Sequence, residues 1–198
     1  TVVSLLEHLG TQLGLDVTLG GNIGLPVLEQ LGTQSACAIL ELSSFQLETI
    51  SSMKAIAATV LNISDDHLDR HQSLENYSAI KQKIYQQCNV AVINRDDSFS
   101  YSTVDLANKN IISFGSDQPA HEHLGLAIVK GELSLMYGKQ VLISQGKLPL
   151  AGMHNALNYL AALALGKAAN WSLLDMVDSL SSFYGLPHRC QRVKSTDN

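Results

Sequence analysis

Apolar residues in the first fifteen positions fall at Val2, Leu5, Leu6, Leu9 and Leu13, a three-to-four spacing that predicts a helix with one buried stripe. Residues 16–19 predict a short strand, and Gly20-Gly21-Asn22-Ile23-Gly24 a turn, with Pro26 suited to the first turn of a short helix through Leu31. Two apolar runs follow, Ala36 to Leu40 and Ala55 to Leu61, neither of them alternating with polar residues. Runs of that kind predict parallel strands covered on both faces. Ser73 suits the cap of a helix over 74–88 that turns Tyr77, Ile80, Ile84 and Tyr85 to one side. Residues 90–94 and 111–114 predict two more buried strands. Between 127 and 144 the pattern becomes that of short antiparallel strands (127–130, 133–137 and 141–143), joined by turns at Gly131 and Gly138. Gly152 opens a long helix to about Ala169, and Ser172 with Asp175 three positions on resembles a capping box for a last helix to about Phe183. Strands alternating with helices make this an α/β fold: a mostly parallel sheet flanked by helices, with a small antiparallel β appendage. No repeat or long linker divides the 198 residues, so one domain is expected.

Charge and cysteine usage narrow the partners. Thirteen basic residues against eighteen acidic ones leave a net charge of −5, with no Lys/Arg cluster, which argues against nucleic acid as a partner. An anionic ligand would then be held by helix N-termini, a metal or single cations. Cys37, Cys88 and Cys190 are odd in number and far apart, with no CxxC pair, which suits a reducing cytoplasm; Cys37 reads as a small core residue. The apolar stretch around 160–165 is broken by Gly166 and Lys167 and is too short for a bilayer, and residues 1–14 lack the pattern of a signal peptide. No membrane partner is expected.

Candidate chemistry gathers where the two apolar runs end. The first runs into Glu41, Ser43, Ser44, Gln46 and Glu48, the second into Asn62, Asp65, Asp66, His67, Asp69 and His71. Open parallel sheets bind ligands beyond the carboxyl ends of their strands, and two polar strand ends in succession suit a site rim better than solvated loops. Glu41 offers the hard oxygen that Mg²⁺ shares with phosphates, and His67 suits a second, more open position. His67 and His71 have the i, i+4 spacing of a zinc protease motif, but Leu68 replaces its glutamate, which weakens a zinc reading and leaves His71 as an expected surface residue. Lys81 lies four residues after Tyr77 and beside Ile80, so it is expected to be half-buried, where a lysine loses basicity; Lys83 is expected in solvent. Asn155 and Asn158 share a helix face and can read a base edge, with capping the competing role for Asn155. Arg189, after a Leu-Pro turn, can fork onto phosphate or simply face solvent. The glycine turn at 20–24 permits close backbone approach to a ligand but is no complete dinucleotide fingerprint.

Taken in order, the strings GGNIGLP, ELSSFQLE, LNISDDHLDRH, YSAIKQKIY, GMHNALNYLAALAL and GLPHR resemble the Mur ligases, ATP-dependent amide ligases of peptidoglycan synthesis with a P-loop-type central domain. GGNIGLP and ELSSFQLE are those of the branch that adds D-glutamate. The resemblance implies ATP and two Mg²⁺ ions, with UDP-N-acetylmuramoyl-L-alanine and D-glutamate as partners, and an acyl-phosphate intermediate. It implies that Glu41 ligates the Mg²⁺ bridging the ATP phosphates, and that His67 and Lys81 (as a carbamate) ligate the second. These three are the candidate catalytic residues. Asn22, Ser43 and His67 would touch the UDP-muramoyl substrate, Asn155 and Asn158 the adenine nucleotide, and Arg189 its ribose or phosphates. Thr1 would stand just past the family's G-x-x-G-K-[ST] phosphate loop. On this reading residues 1–198 are the central ATP-binding domain, without the N-terminal UDP-binding and C-terminal amino-acid-binding domains, inactive alone and monomeric when full length. Two other readings stand beside it: a folylpolyglutamate synthase-like ligase, and a non-catalytic nucleotide-binding module.

Overall fold

Helix α1 (Val2–Gln12) buries Val2, Leu5, Leu6 and Leu9, the stripe its spacing predicts. In this computed structural model, which describes residues 1–24, 35–64, 71 and 73–185, the helix leads into two parallel sheets. Strand β1 (Val17–Gly21) pairs in parallel with β2 (Cys37–Glu41), bringing Gly21 opposite Glu41. Strands β3 (Ala55–Val60), β4 (Cys88–Asn94) and β5 (Asn110–Phe114) form the second sheet, in that order and all parallel. A three-stranded antiparallel meander follows: β6 (Leu124–Val129), β7 (Glu132–Tyr137) and β8 (Gln140–Ser144). It begins three residues earlier than the sequence pattern suggests, because Leu124 and Leu126 are both buried in the main core.

Helices α2 (Ser44–Thr49), α3 (Leu74–Gln82), α4 (Met153–Ala168) and α5 (Leu173–Ser179) complete the described fold. The Ala- and Leu-rich α4 packs against α1 and against β3, β4 and β5, and its fully buried Leu160 and Leu163 anchor the main core. The helix expected over 74–88 stops at Gln82 and tightens into a 3₁₀ turn, Lys83–Gln87. That turn buries Ile84 and Tyr85, and the Tyr85 hydroxyl accepts from Val60 N (3.0 Å) and donates to Val92 O (3.3 Å), tying β3 to β4. Desolvation raises the Tyr85 pKa well above the usual phenol range.

The expectation that both early strands are covered on each face is corrected along one line. β2 and β3 do not pair with each other, and Ala36, Ala38 and Ile56 (52% exposed) face outward. The reason is a cleft of about 860 Å³ lined by both strands, which leaves their facing sides open.

The meander is fastened to the second sheet by charge and by one imidazole. Arg95 donates to Ser113 Oγ (2.8 Å) and Leu124 O (3.1 Å) and pairs with Asp117. Ser113 N donates to His123 Nδ1 (3.0 Å), so that nitrogen has to be unprotonated. Burial holds the His123 pKa below its ordinary 6.5, the Arg95 charge pushes the same way, and Glu122 opposes them. A depressed folded-state pKa gives stability that is present above the ordinary value and lost as pH falls below it. Thermal unfolding should therefore show a midpoint that declines from pH 7.5 to 5.5, with a shallower decline in His123→Asn; equal slopes would remove His123 from the account.

Candidate functional site

The carboxyl end of β2 is built by a close approach that only glycine allows. Gly21 has φ +98°, and a Cβ there would run into the Glu41 carbonyl. The approach lets Asn22 N donate to Glu41 O at 2.6 Å, which sets the residue after the β1 end beside the candidate metal ligand. Ser43 then caps α2 in a complete capping box: its hydroxyl accepts from Gln46 N (3.3 Å), and Gln46 Oε1 accepts from Ser43 N (2.8 Å) and Ser43 Oγ (3.1 Å). Any ligand that Ser43 touches therefore shares this hydroxyl with the helix start.

The carboxyl end of β3 is held from the neighbouring strand. Asn94 Nδ2 donates to Leu61 O (2.8 Å), and Asp97 accepts from Ile63 N (2.6 Å). Neither Asn94 nor Asp97 stands in a motif; the only signal is their place at the polar end of β4, the position that marks Glu41 and Asn62 on their own strands.

His67, with Asp65, Asp66 and Asp69, lies outside the described residues, as does Arg189. His71 corrects its expected surface position, for it is only 5% exposed. Its ring sits between α2 and α3, with Nε2 3.0 Å from Ser44 Oγ and Nδ1 3.8 Å from a Glu48 carboxylate oxygen. The Ser44 hydroxyl satisfies the ring nitrogen, which is what makes burial tolerable for a polar ring. Lys81 is half-buried as expected, its ammonium 5.6 Å from the centre of the Tyr77 ring.

One cleft collects most of the candidates. Thr1, Asn22, Glu41, Ser43, Asn62 and Lys81 all line it, over an apolar floor that includes Leu165 and Trp171. Asn155 and Asn158 are not among its lining residues: Leu165 reaches it from about 10 Å further along the same helix. Asn155 Nδ2 instead donates to Ala151 O (2.8 Å), which ties the start of α4 to the residue before its N-cap, Gly152; the N-cap itself has no side-chain cap bond.

The donor set bears on which cation this cleft suits. Among the described residues no three His, Cys, Asp or Glu side chains come together as a metal cage. Mg²⁺ is bound by one or two carboxylates together with waters and substrate phosphates, and Glu41 on the wall of a wide cleft offers one such carboxylate.

Comparison with known proteins agrees with this architecture. A family described as the Mur ligase middle domain matches residues 1–166. The chain is 54% identical over 207 aligned residues to UDP-N-acetylmuramoylalanine--D-glutamate ligase of Colwellia psychrerythraea, covering 100% of the chain and 44% of that protein. It is 45% identical to the protein of the same name from Nitrosococcus oceani, covering 96% of the chain and 42% of that protein. The chain thus spans less than half the length of these curated relatives. Among solved structures, a UDP-N-acetylmuramoyl-L-alanyl-D-glutamate--2,6-diaminopimelate ligase superposes with a TM-score of 0.76 at 23% identity, over 98% of this chain and 46% of that one. The UDP-N-acetylmuramate-alanine ligase of Thermotoga maritima does so with 0.65 at 20%, over 96% and 44%. At these identities the structural likeness is one of fold. No helix among the described residues is long and apolar enough to cross a membrane.

Proposed function

Because the chain belongs to the Mur ligase family, matching its middle domain, we propose that it is the nucleotide-handling core of a cytoplasmic ligase that joins D-glutamate to UDP-N-acetylmuramoyl-L-alanine, driven by ATP, in peptidoglycan synthesis. The observation that carries this reading is the 54% identity, along the entire chain, to a protein named for that reaction. The common cleft of Glu41, Asn22, Ser43 and Lys81 supports it.

In this reaction a carboxylate oxygen of the UDP-linked alanine attacks the γ-phosphorus of ATP, and ADP leaves. The amine of D-glutamate then adds to the carbonyl carbon of the acyl phosphate. The tetrahedral adduct collapses, expelling inorganic phosphate and passing the ammonium proton to solvent. Both steps bring anionic or electron-rich groups together, so the barrier is lowered mainly by positioning and by compensating charge. Mg²⁺, when bound, supplies that charge. Glu41 would hold one ion; Lys81, as its carbamate, would hold a second with His67. Asn22, beside the Glu41 carbonyl, and Ser43, at the start of α2, would orient the muramoyl end, and His67 would be a further contact to it. Asn155, Asn158 and Arg189 would meet the nucleotide away from the reacting carboxylate.

Thr1, at the start of α1, lines the same cleft as Glu41 and Lys81 and would meet the nucleotide there.

The test is phosphate release by the full-length protein given ATP and UDP-N-acetylmuramoyl-L-alanine, with D-glutamate, L-glutamate or meso-diaminopimelate in turn. Release with D-glutamate alone supports the reading. Release with another amino acid moves the protein to a sibling reaction, and none with any of them overturns it.

A further inference from the structure

His71 has no assigned contact with substrate, nucleotide or metal, yet its side chain is 2% exposed and touches both walls of the site. We propose that His71 is a positioning residue that fixes the separation between the Glu41–Ser43 strand end and Lys81. The inference rests on the ligase reading of the cleft but concerns a residue that reading does not use.

On one side, Nε2 of His71 meets Ser44 Oγ at 3.0 Å, one residue beyond the Ser43 cap and three beyond Glu41. Glu48, one turn along α2, faces Nδ1 at 3.8 Å. A carboxylate on that side favours the tautomer with its proton on Nδ1, so Nε2 accepts the Ser44 hydroxyl proton. On the other side the ring lies 5.1 Å from the Tyr77 ring, tilted by 33°, while the Phe45 ring of α2 stands 5.9 Å from it. Tyr77 in turn carries the Lys81 ammonium over its face at 5.6 Å. Tyr77 and Lys81 are i and i+4 on α3, so the contact that fixes Tyr77 fixes the rotation of that helix and the direction of Lys81. The path Ser44–His71–Tyr77–Lys81 is contiguous, and it ties α2 to α3 within the face where these two helices pack against each other. A buried hydrogen bond of this kind is costly to leave half-made, so the wedge holds one spacing rather than a range of them.

The experiment uses the full-length protein with His71→Phe, His71→Gln and His71→Ala. His71→Phe keeps the ring against Tyr77 and loses the bond to Ser44; His71→Gln keeps a polar partner for Ser44. Three properties are read: Mn²⁺ binding in the presence of ADP, followed by the electron paramagnetic resonance of free Mn²⁺; the kcat and KM of the ligase reaction; and the thermal midpoint. The expected result for His71→Phe is a midpoint within a few degrees of wild type and Mn²⁺ binding weakened about tenfold, with a comparable fall in kcat and little change in KM for the UDP-substrate. His71→Gln should recover most of both losses, and His71→Ala should show the largest. Unchanged Mn²⁺ affinity and kcat in all three would overturn the proposal. So would losses that only track the fraction of folded protein and that Gln does not recover. A wild-type protein with no turnover would sink the ligase reading instead, and the Mn²⁺ titration would still decide the role of His71.

Discussion

Lys81→Ala in the full-length protein should lower ligase turnover by about a hundredfold or more while leaving the thermal midpoint within a few degrees of wild type. The stability side follows from geometry. Lys81 is half-buried rather than in the core, and the contact of its ammonium with the Tyr77 ring at 5.6 Å is worth about 0.5–1 kcal/mol at such a site. The activity side follows from position, since Lys81 and Glu41 line one cleft and no other described cation is set on α3 facing Glu41. An ammonium repels a divalent ion, whereas a carbamate on the same nitrogen presents oxygens to it. Partial rescue of Lys81→Ala by added short carboxylates would therefore separate an oxygen-ligand role from a simple positive charge. Steady-state phosphate release with and without formate or acetate makes the comparison, and full activity of the unrescued variant would end the assignment.

Gly21→Val should be the most damaging single change at the site for stability. The φ of +98° is open to glycine and strained for a β-branched residue, at a cost of about 1–3 kcal/mol. The added Cβ meets the backbone carbonyl of Glu41, which cannot swing aside as a flexible side chain would, and overpacking of this kind costs about 1–3 kcal/mol more. The sum, about 2–6 kcal/mol, corresponds to a fall in thermal midpoint of roughly 4–24 °C in a domain of this size. Part of the strain is relieved by parting β1 from β2, which also breaks the 2.6 Å bond from Asn22 to Glu41. Activity at a temperature where the variant is still folded should accordingly fall with a raised requirement for Mg²⁺. A variant with wild-type unfolding and wild-type Mg²⁺ dependence would show that the close approach of Gly21 to Glu41 is dispensable.

Much of this was legible from pattern alone, for physical reasons that differ from element to element. The α1 stripe and the apolar α4 follow from burial on a helix face, and the parallel strands from apolar runs that end in polar residues. Glu41 was legible as a candidate because it ends such a run; for Lys81 only the half-burial was legible, from its place four residues after Tyr77, and its candidate role came from the family resemblance. His71 was not legible. Its burial depends on Ser44, which is 27 positions away, and a histidine in a string of acidic residues reads as a loop residue until that partner is seen. The break at Gln82 has the same origin, because it is set by where the Tyr85 hydroxyl reaches β3 and β4. The exposure of Ile56 depends on which strands pair, and short-range periodicity carries no information about that. Ser43 shows the opposite case: S-x-x-Q spells a capping box in the sequence, and the structure holds that box complete.

The most direct test of the central claim, that the cleft between β2 and β3 is where the ligase handles its phosphates, is a crystal of the full-length protein grown with ADP and Mn²⁺. Anomalous scattering would locate the ions without reference to any assigned ligand. The account predicts a Mn²⁺ peak within coordination distance of a Glu41 carboxylate oxygen, on the side of the cleft that faces Lys81. A fully occupied nucleotide whose Mn²⁺ lies away from both residues would contradict it.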